Sequence, residues 1–142
     1  MINNSSSFSD DDSCSQTDDE DSSLRILVVD DDALIGKISK KILEHDGYVA
    51  DIVDNAAAGL QALQSRHYDL LITDNGMPQM SGLEMIKALR AQQVEVPIIM
   101  ASGNLSKEDL NPELRINACL LKPYTKAQLA ETVNEVLLTS MS

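Results

Sequence analysis

The chain has no tryptophan, one phenylalanine and three tyrosines in 142 residues. Nucleic-acid surfaces need stacking rings and a basic footprint. Here 11 Lys and Arg stand against 23 Asp and Glu, a formal net charge of −12. That balance argues against nucleic acid as a partner, and equally against docking on an anionic membrane. No apolar run approaches the length of a membrane span. The opening MINNSSSFSD has neither a basic patch nor an apolar core, so no secretory signal is expected. The two cysteines, Cys14 and Cys119, lie in a polar stretch and an apolar run. They make no disulfide framework, and a reducing, cytoplasmic setting is expected.

What the chain does have is ordinary globular composition, 43% hydrophobic and 24% charged, at a length that favours one domain. The charge is uneven. Residues 1–23 hold Asp10, Asp11, Asp12, Asp18, Asp19, Glu20 and Asp21 and no Lys or Arg. With so little apolar surface to bury, this segment reads as a disordered acidic tail. A folded domain is expected over residues 24–140.

There the pattern alternates. Apolar runs of strand length occur at 26–29, 70–72, 98–101 and 119–121, with a weaker one at 48–53. Helical patterns lie between them. Leu34, Ile38 and Ile42 recur at a four-residue spacing, and Gly47 can cap that helix. Asn55 can N-cap a second helix carrying Ala56, Leu60 and Leu63. Leu83, Ile86 and Leu89 form a third stripe. Thr125 and Gln128 make a capping box for the last helix, with Leu129, Val133, Val136 and Leu137 on one face. Ser106–Leu114 is the weakest helix, since Pro112 interrupts it. Strands alternating with helices predict an α/β fold, an open doubly wound sheet of five parallel strands with helices on both faces. About 119 residues are too few for an eight-fold barrel, which needs roughly 200.

Such sheets bind ligands beyond the carboxyl ends of their strands. Asp30, Asp31 and Asp32 follow the first run, Asp74 the third, Ser102 the fourth and Lys122 the fifth. One edge therefore collects carboxylates, a hydroxyl and an ammonium. Two like charges about 4 Å apart repel by roughly 4 kcal/mol at an effective dielectric of 20. Asp30, Asp31 and Asp74 thus call for a cation, and hard oxygen ligands suit Mg²⁺ (or Mn²⁺). A carboxylate beside such an ion and an ammonium can act as a nucleophile toward a phosphoryl group. Asp32 is assigned to N-capping the first helix.

The segments "ILVVDDD", "DLLITDNGMPQMSGLEMIKALR", "VPIIMASGN" and "LLKPYTKAQL" together resemble the receiver domain of two-component response regulators. They occur in family order and cover essentially everything after residue 23. The resemblance implies a flavodoxin-like sheet of strand order 2-1-3-4-5. It also implies phosphorylation of Asp74 by a histidine kinase or a histidine phosphotransfer protein. Asp30, Asp31 and Asp74 would hold Mg²⁺ with the backbone carbonyl of Gly76. Ser102 would be the switch hydroxyl, Lys122 would pair with the phosphoryl group, and the Lys122–Pro123 bond would be cis. The chain ends soon after the last helix, which points to a stand-alone regulator. Its downstream contact would use the face of the Ser106–Leu114 helix, the fifth strand and the last helix. It would be a monomer or a weak phosphorylation-dependent dimer.

Two features depart from the family. Cys119 occupies the position of the aromatic switch residue, so the usual ring rotation has no ring. Gly76 places no side chain beside an acyl phosphate, so self-dephosphorylation by water is expected.

Two other readings compete. Asp30-Asp31-Asp32-Ala33-Leu34 is similar to the D-x-D-x-T/V loop of haloacid dehalogenase-like, Mg²⁺-dependent phosphatases, with Asp30 as nucleophile. Against it, position 34 is Leu and no later acidic pair completes that metal site. A pseudo-receiver adaptor, folded alike but never phosphorylated, is the third reading.

Overall fold

The computed structural model describes residues 23–104 and 111–140. Apart from Ser23, the acidic tail lies outside the described residues, as do 106–110 of the weak helix. Pro112–Leu114 forms a 3-10 turn, Asn111 capping it through its side chain.

Five strands build the sheet: β1 (Arg25–Val29), β2 (Val49–Val53), β3 (Leu70–Asp74), β4 (Ile98–Ser102) and β5 (Ala118–Leu121). All neighbours pair in parallel, in the order β2-β1-β3-β4-β5, the flavodoxin-like arrangement. Strands covered on both faces read as unbroken apolar runs. That is why RILVV, LLITD and IIMAS are buried almost throughout.

Among the described residues four helices cover the sheet: α1 (Ala33–His45), α2 (Ala56–Ser65), α3 (Gly82–Ala91) and α4 (Lys126–Ser140). Leu27, Val29, Leu71 and Met100 pack toward α2 and α3, which contribute Ala56, Leu83, Met85, Ile86 and Leu89. Ile26, Val28, Ile72 and Ile99 face α1 and α4, which contribute Leu43, Leu129, Val133, Val136 and Leu137. Each fully buried side chain of this size contributes about 1.5–3 kcal/mol. Among the described residues no helix is long and apolar enough to cross a membrane.

The helix ends follow from local chemistry. Asp32 accepts from the amides of Leu34 and Ile35, and Asn55 from that of Ala58. Thr125 and Gln128 exchange bonds of 2.8 and 3.0 Å at the start of α4. Gly47 ends α1 at φ +93°, a left-handed conformation that glycine adopts without strain. Ser81 and Glu84 form a capping box on α3.

The face of α1 differs from the simple stripe. Leu34 is 66% exposed and Ile38 50%, while Gly36, Ser39 and Leu43 are buried. The helix lies so close to the sheet that a Cβ at Gly36 would be 2.9 Å from Ile52 Cγ2. Small residues therefore take the contact face, and two large apolar ones are left outside.

Arg90 anchors the approach to β5. Its guanidinium donates to the carbonyls of Leu114 (2.7 Å), Val94 (2.8 Å), Val96 (3.0 Å) and Arg115 (3.0 Å). It joins α3 to the turn leading into the strand that delivers Lys122.

Candidate functional site

The strand order reverses between β1 and β3. β1 continues to β2 on one side and β3 to β4 on the other, leaving a crevice at their carboxyl ends. Val29 is in register with Thr73, so Asp30 and Asp74 emerge side by side. Asp31 follows in the turn to α1. Asp30 is 4% exposed and Asp74 8%, while Asp31 is open to solvent. Carboxylate oxygens of all three lie within 4.8 Å of one another.

Lys122, carried in from the far edge just after β5, reaches into this group. Its Nζ is 3.1 Å from Asp30 Oδ2 and 3.3 Å from Asp74 Oδ1. The Lys122–Pro123 bond is cis. Burial acts to lower the pKa of Lys122, but the bonds and charges of Asp30 and Asp74 outweigh it and hold the ammonium above its ordinary value. Asp31 is pushed above the ordinary carboxylate range by its partial desolvation and then by its neighbours Asp74 and Asp30. Three acids against one ammonium leave an excess of negative charge in one pocket. Three hard oxygen ligands so close together fit a divalent cation.

The remaining candidates sit around this centre. Gly76 is exposed, and its amide points to Asp74 Oδ1 at 3.4 Å. A Cβ there would meet nothing within 4 Å. Ser102 is buried at the end of β4, but its hydroxyl engages its own turn, donating to the Asn104 carbonyl (2.8 Å) and accepting from the Asn104 amide (3.2 Å). Cys119 is half-buried in β5 and packs against the core under α2 and α3. Asp32 is removed from the group by its role as N-cap.

One residue of the loop escaped the sequence reading. Asn75 directly follows Asp74, and its side-chain carbonyl accepts from the amide of Leu83 in α3 at 2.9 Å. "DNGMP" reads as turn chemistry, and local turn signals carry no hint of a bond eight residues away.

Residues 26–134 match the response regulator receiver domain family, and the chain belongs to it. It is 31% identical over 114 residues to the transcriptional regulatory protein RprY of Bacteroides fragilis, covering 79% of this chain and 48% of that protein. The chain thus spans about half the length of that relative. A CheY-like receiver domain from Methanospirillum hungatei matches with a TM-score of 0.78 at 31% identity, over 83% of this chain and 96% of that one. The response regulator TrrA of Thermotoga maritima, solved in complex with Mg(2+)-BeF, matches with a TM-score of 0.71 at 31% identity, over 80% and 98%. Receiver domains are signalling modules rather than enzymes.

Proposed function

We propose that this chain is a response-regulator receiver of the cytoplasm that accepts a phosphoryl group on Asp74 from a histidine kinase or histidine phosphotransfer protein. The observation carrying this reading is the convergence of Asp30, Asp31 and Asp74 within 4.8 Å, with Lys122 Nζ between the two buried acids. Asp30, Asp31, Asp74 and the Gly76 carbonyl are the groups that would hold Mg²⁺ or Mn²⁺. The Mg(2+)-BeF complex of TrrA supports that choice of cation. A cation there supplies positive charge opposite the phosphoryl oxygens.

The chain's own residues do the rest. A carboxylate oxygen of Asp74 attacks phosphorus, and the bond from phosphorus to the donor's imidazole nitrogen breaks. The Lys122 ammonium donates to an oxygen of the transferred group. The Ser102 hydroxyl can reach that group only by giving up the Asn104 carbonyl, so the 102–104 turn moves on phosphorylation. That movement supplies a switch that does not require an aromatic ring at Cys119. Gly76 leaves room for water, which hydrolyses the acyl phosphate and resets the chain.

Two contacts weigh against the phosphatase reading. Asp30 has both oxygens engaged, Oδ1 by the Asp32 amide at 2.9 Å and Oδ2 by Lys122. Asp32, the second acid of the D-x-D pair, accepts from two α1 amides. Labelling with a small acyl phosphate and Mg²⁺, followed by mapping of the modified aspartate, tests the assignment. Label is expected on Asp74 and absent from Asp74→Asn. Label on Asp30, or label persisting in Asp74→Asn, defeats the receiver reading. No Mg²⁺-dependent label at all would leave the pseudo-receiver.

Ile38 lines a groove of about 360 Å³ that runs between α1 and Lys122–Tyr124, and Leu34, one turn earlier on α1, is likewise exposed. Exposed apolar side chains next to a phosphoacceptor suit the docking of a donor protein. Replacing both by serine is expected to slow transfer from a histidine donor protein at least about tenfold, equivalent to roughly 1.4 kcal/mol. Labelling by a small acyl phosphate should stay within about twofold. Equal slowing with both donors would mean that the pair supports the site and not the docking.

Output is assigned to protein contact on the β5–α4 side, where Leu121 and Leu138 are exposed. The helix that would complete that face, Ser106–Leu114, lies largely outside the described residues. The acidic charge gives nucleic acid and anionic membrane no footing. The chain acts as a monomer or as a weak dimer formed on phosphorylation.

A further inference from the structure

Asn75 is bonded on three sides. Its amide donates to the Ala101 carbonyl of β4 (3.2 Å). Its own carbonyl accepts from Met77 (2.9 Å) and from Gly82 (3.1 Å). Its side-chain oxygen accepts from Leu83 (2.9 Å). The first amides of a helix have no partner within it. In α3 the first two, Gly82 and Leu83, both end on Asn75, and the third, Glu84, ends on Ser81. The residue after the phosphoacceptor is thus built into the first turn of the next helix.

Gly76 follows Asn75. It is exposed, has no side chain to hold its place, and its amide makes only a long contact to Asp74. The direction of its carbonyl is therefore set by its neighbours, and of these Asn75 is the one tied to β4 and to α3 at once. Resting on the reading that the Gly76 carbonyl serves a divalent cation, we propose that Asn75 is a positioning residue. It sets the affinity of the site for that cation by locking the Asp74–Met77 loop to the N-terminus of α3. Loss of a hydrogen bond that orients a metal ligand typically weakens metal binding by about 10–100-fold.

Calorimetric titration with Mg²⁺ of the native chain, Asn75→Leu and Ser81→Ala tests this. Leucine keeps the approximate size and removes the acceptor for Leu83. Ser81→Ala removes a cap from the same helix without touching the loop. Both should lower the urea midpoint, but only Asn75→Leu should weaken Mg²⁺ binding, by about tenfold or more, with Ser81→Ala within about twofold. Native affinity in Asn75→Leu, or an equal loss in both variants, overturns the proposal. A native chain that does not bind Mg²⁺ overturns the underlying site reading first, and the proposal with it.

Hydrogen exchange of the native chain covers the case in which Asn75→Leu does not fold. Mg²⁺ should slow exchange at Gly82 and Leu83 together with Gly76 and Met77. Slowing at Gly76 and Met77 alone means that loop and helix are not one unit, and the proposal fails.

Discussion

Gly82→Ala is expected to unfold the chain at lower urea, losing about 3 kcal/mol, the upper end of what overpacking costs. A Cβ at this position would lie 2.2 Å from the carbonyl oxygen of Asp74 and 3.1 Å from Asn75 Cα. Both are backbone atoms, so no side chain can swing aside. Either the first turn of α3 retreats or the phosphoacceptor loop does. Retreat of the helix breaks the bonds from Gly82 and Leu83 to Asn75; retreat of the loop displaces Asp74 itself. Fold and site are therefore hurt together, and acyl-phosphate labelling should fall with the urea midpoint. Gly76→Ala is the matched control. Its Cβ meets nothing within 4 Å and its φ is not left-handed, so stability should hold within about 0.5 kcal/mol. Circular dichroism suits both measurements, since the chain has no tryptophan. A Gly82→Ala variant as stable as the native chain would show that the close approach is not required.

The contrast between these glycines marks where sequence reading stops. The sheet was legible because parallel strands covered on both faces spell themselves as ILVV, LLIT and IIMA. The caps were legible because Asp32, Asn55 and Thr125 act within three residues of themselves. The buried face of α1 was not, because close approach to β2 selects Gly36 and a hydrogen bond to the Tyr124 hydroxyl holds the buried Ser39, and a hydropathy stripe ignores both. Leu34 and Ile38 have the helical spacing of a core and lie outside it.

The site was partly legible for the same reason. That Asp30, Asp74, Ser102 and Lys122 end strands of one parallel sheet follows from pattern alone. That Lys122 crosses to Asp30 and Asp74 needs the strand order, which the family resemblance supplied. The turn of the Ser102 hydroxyl toward Asn104 and the reach of Asn75 to Leu83 leave no trace in local pattern. They are bonds of loop geometry, fixed only once the elements are packed.

Lys122→Met should be the most damaging change within the site itself. Its ammonium is the cation paired with Asp30, whose side chain is 5% exposed. Removing one partner of a buried pair costs about 3–5 kcal/mol, because the other charge is left uncompensated. The loss has a ceiling. Protonating a carboxyl of ordinary pKa near 4 at pH 7 costs about 4 kcal/mol, and Asp31, already pushed upward, takes a proton more cheaply.

The deficit should therefore be about 3 kcal/mol at pH 7, consistent with that ceiling, and shrink as the pH falls. On the alkaline side, the raised pKa of Lys122 in the native chain means that its contribution is complete once the pH is below the ordinary 10.5. It is lost only as the pH rises through the higher folded value. Mg²⁺ should narrow the gap between variant and native chain, because the variant's pocket, one positive charge poorer, binds the cation more tightly, and each tenfold gain in affinity adds about 1.4 kcal/mol to its stabilisation at saturating Mg²⁺. Asp31→Asn should do the reverse. With one fewer carboxylate, the Mg²⁺-free chain gains stability, by about 1 kcal/mol for an exposed group, and its response to Mg²⁺ weakens. Urea unfolding of the three chains with and without Mg²⁺ reads all of this. Lys122→Met as stable as the native chain without Mg²⁺ would mean that the ammonium does not neutralise the pocket. Asp74 would then lack the compensating cation that poises it as a nucleophile.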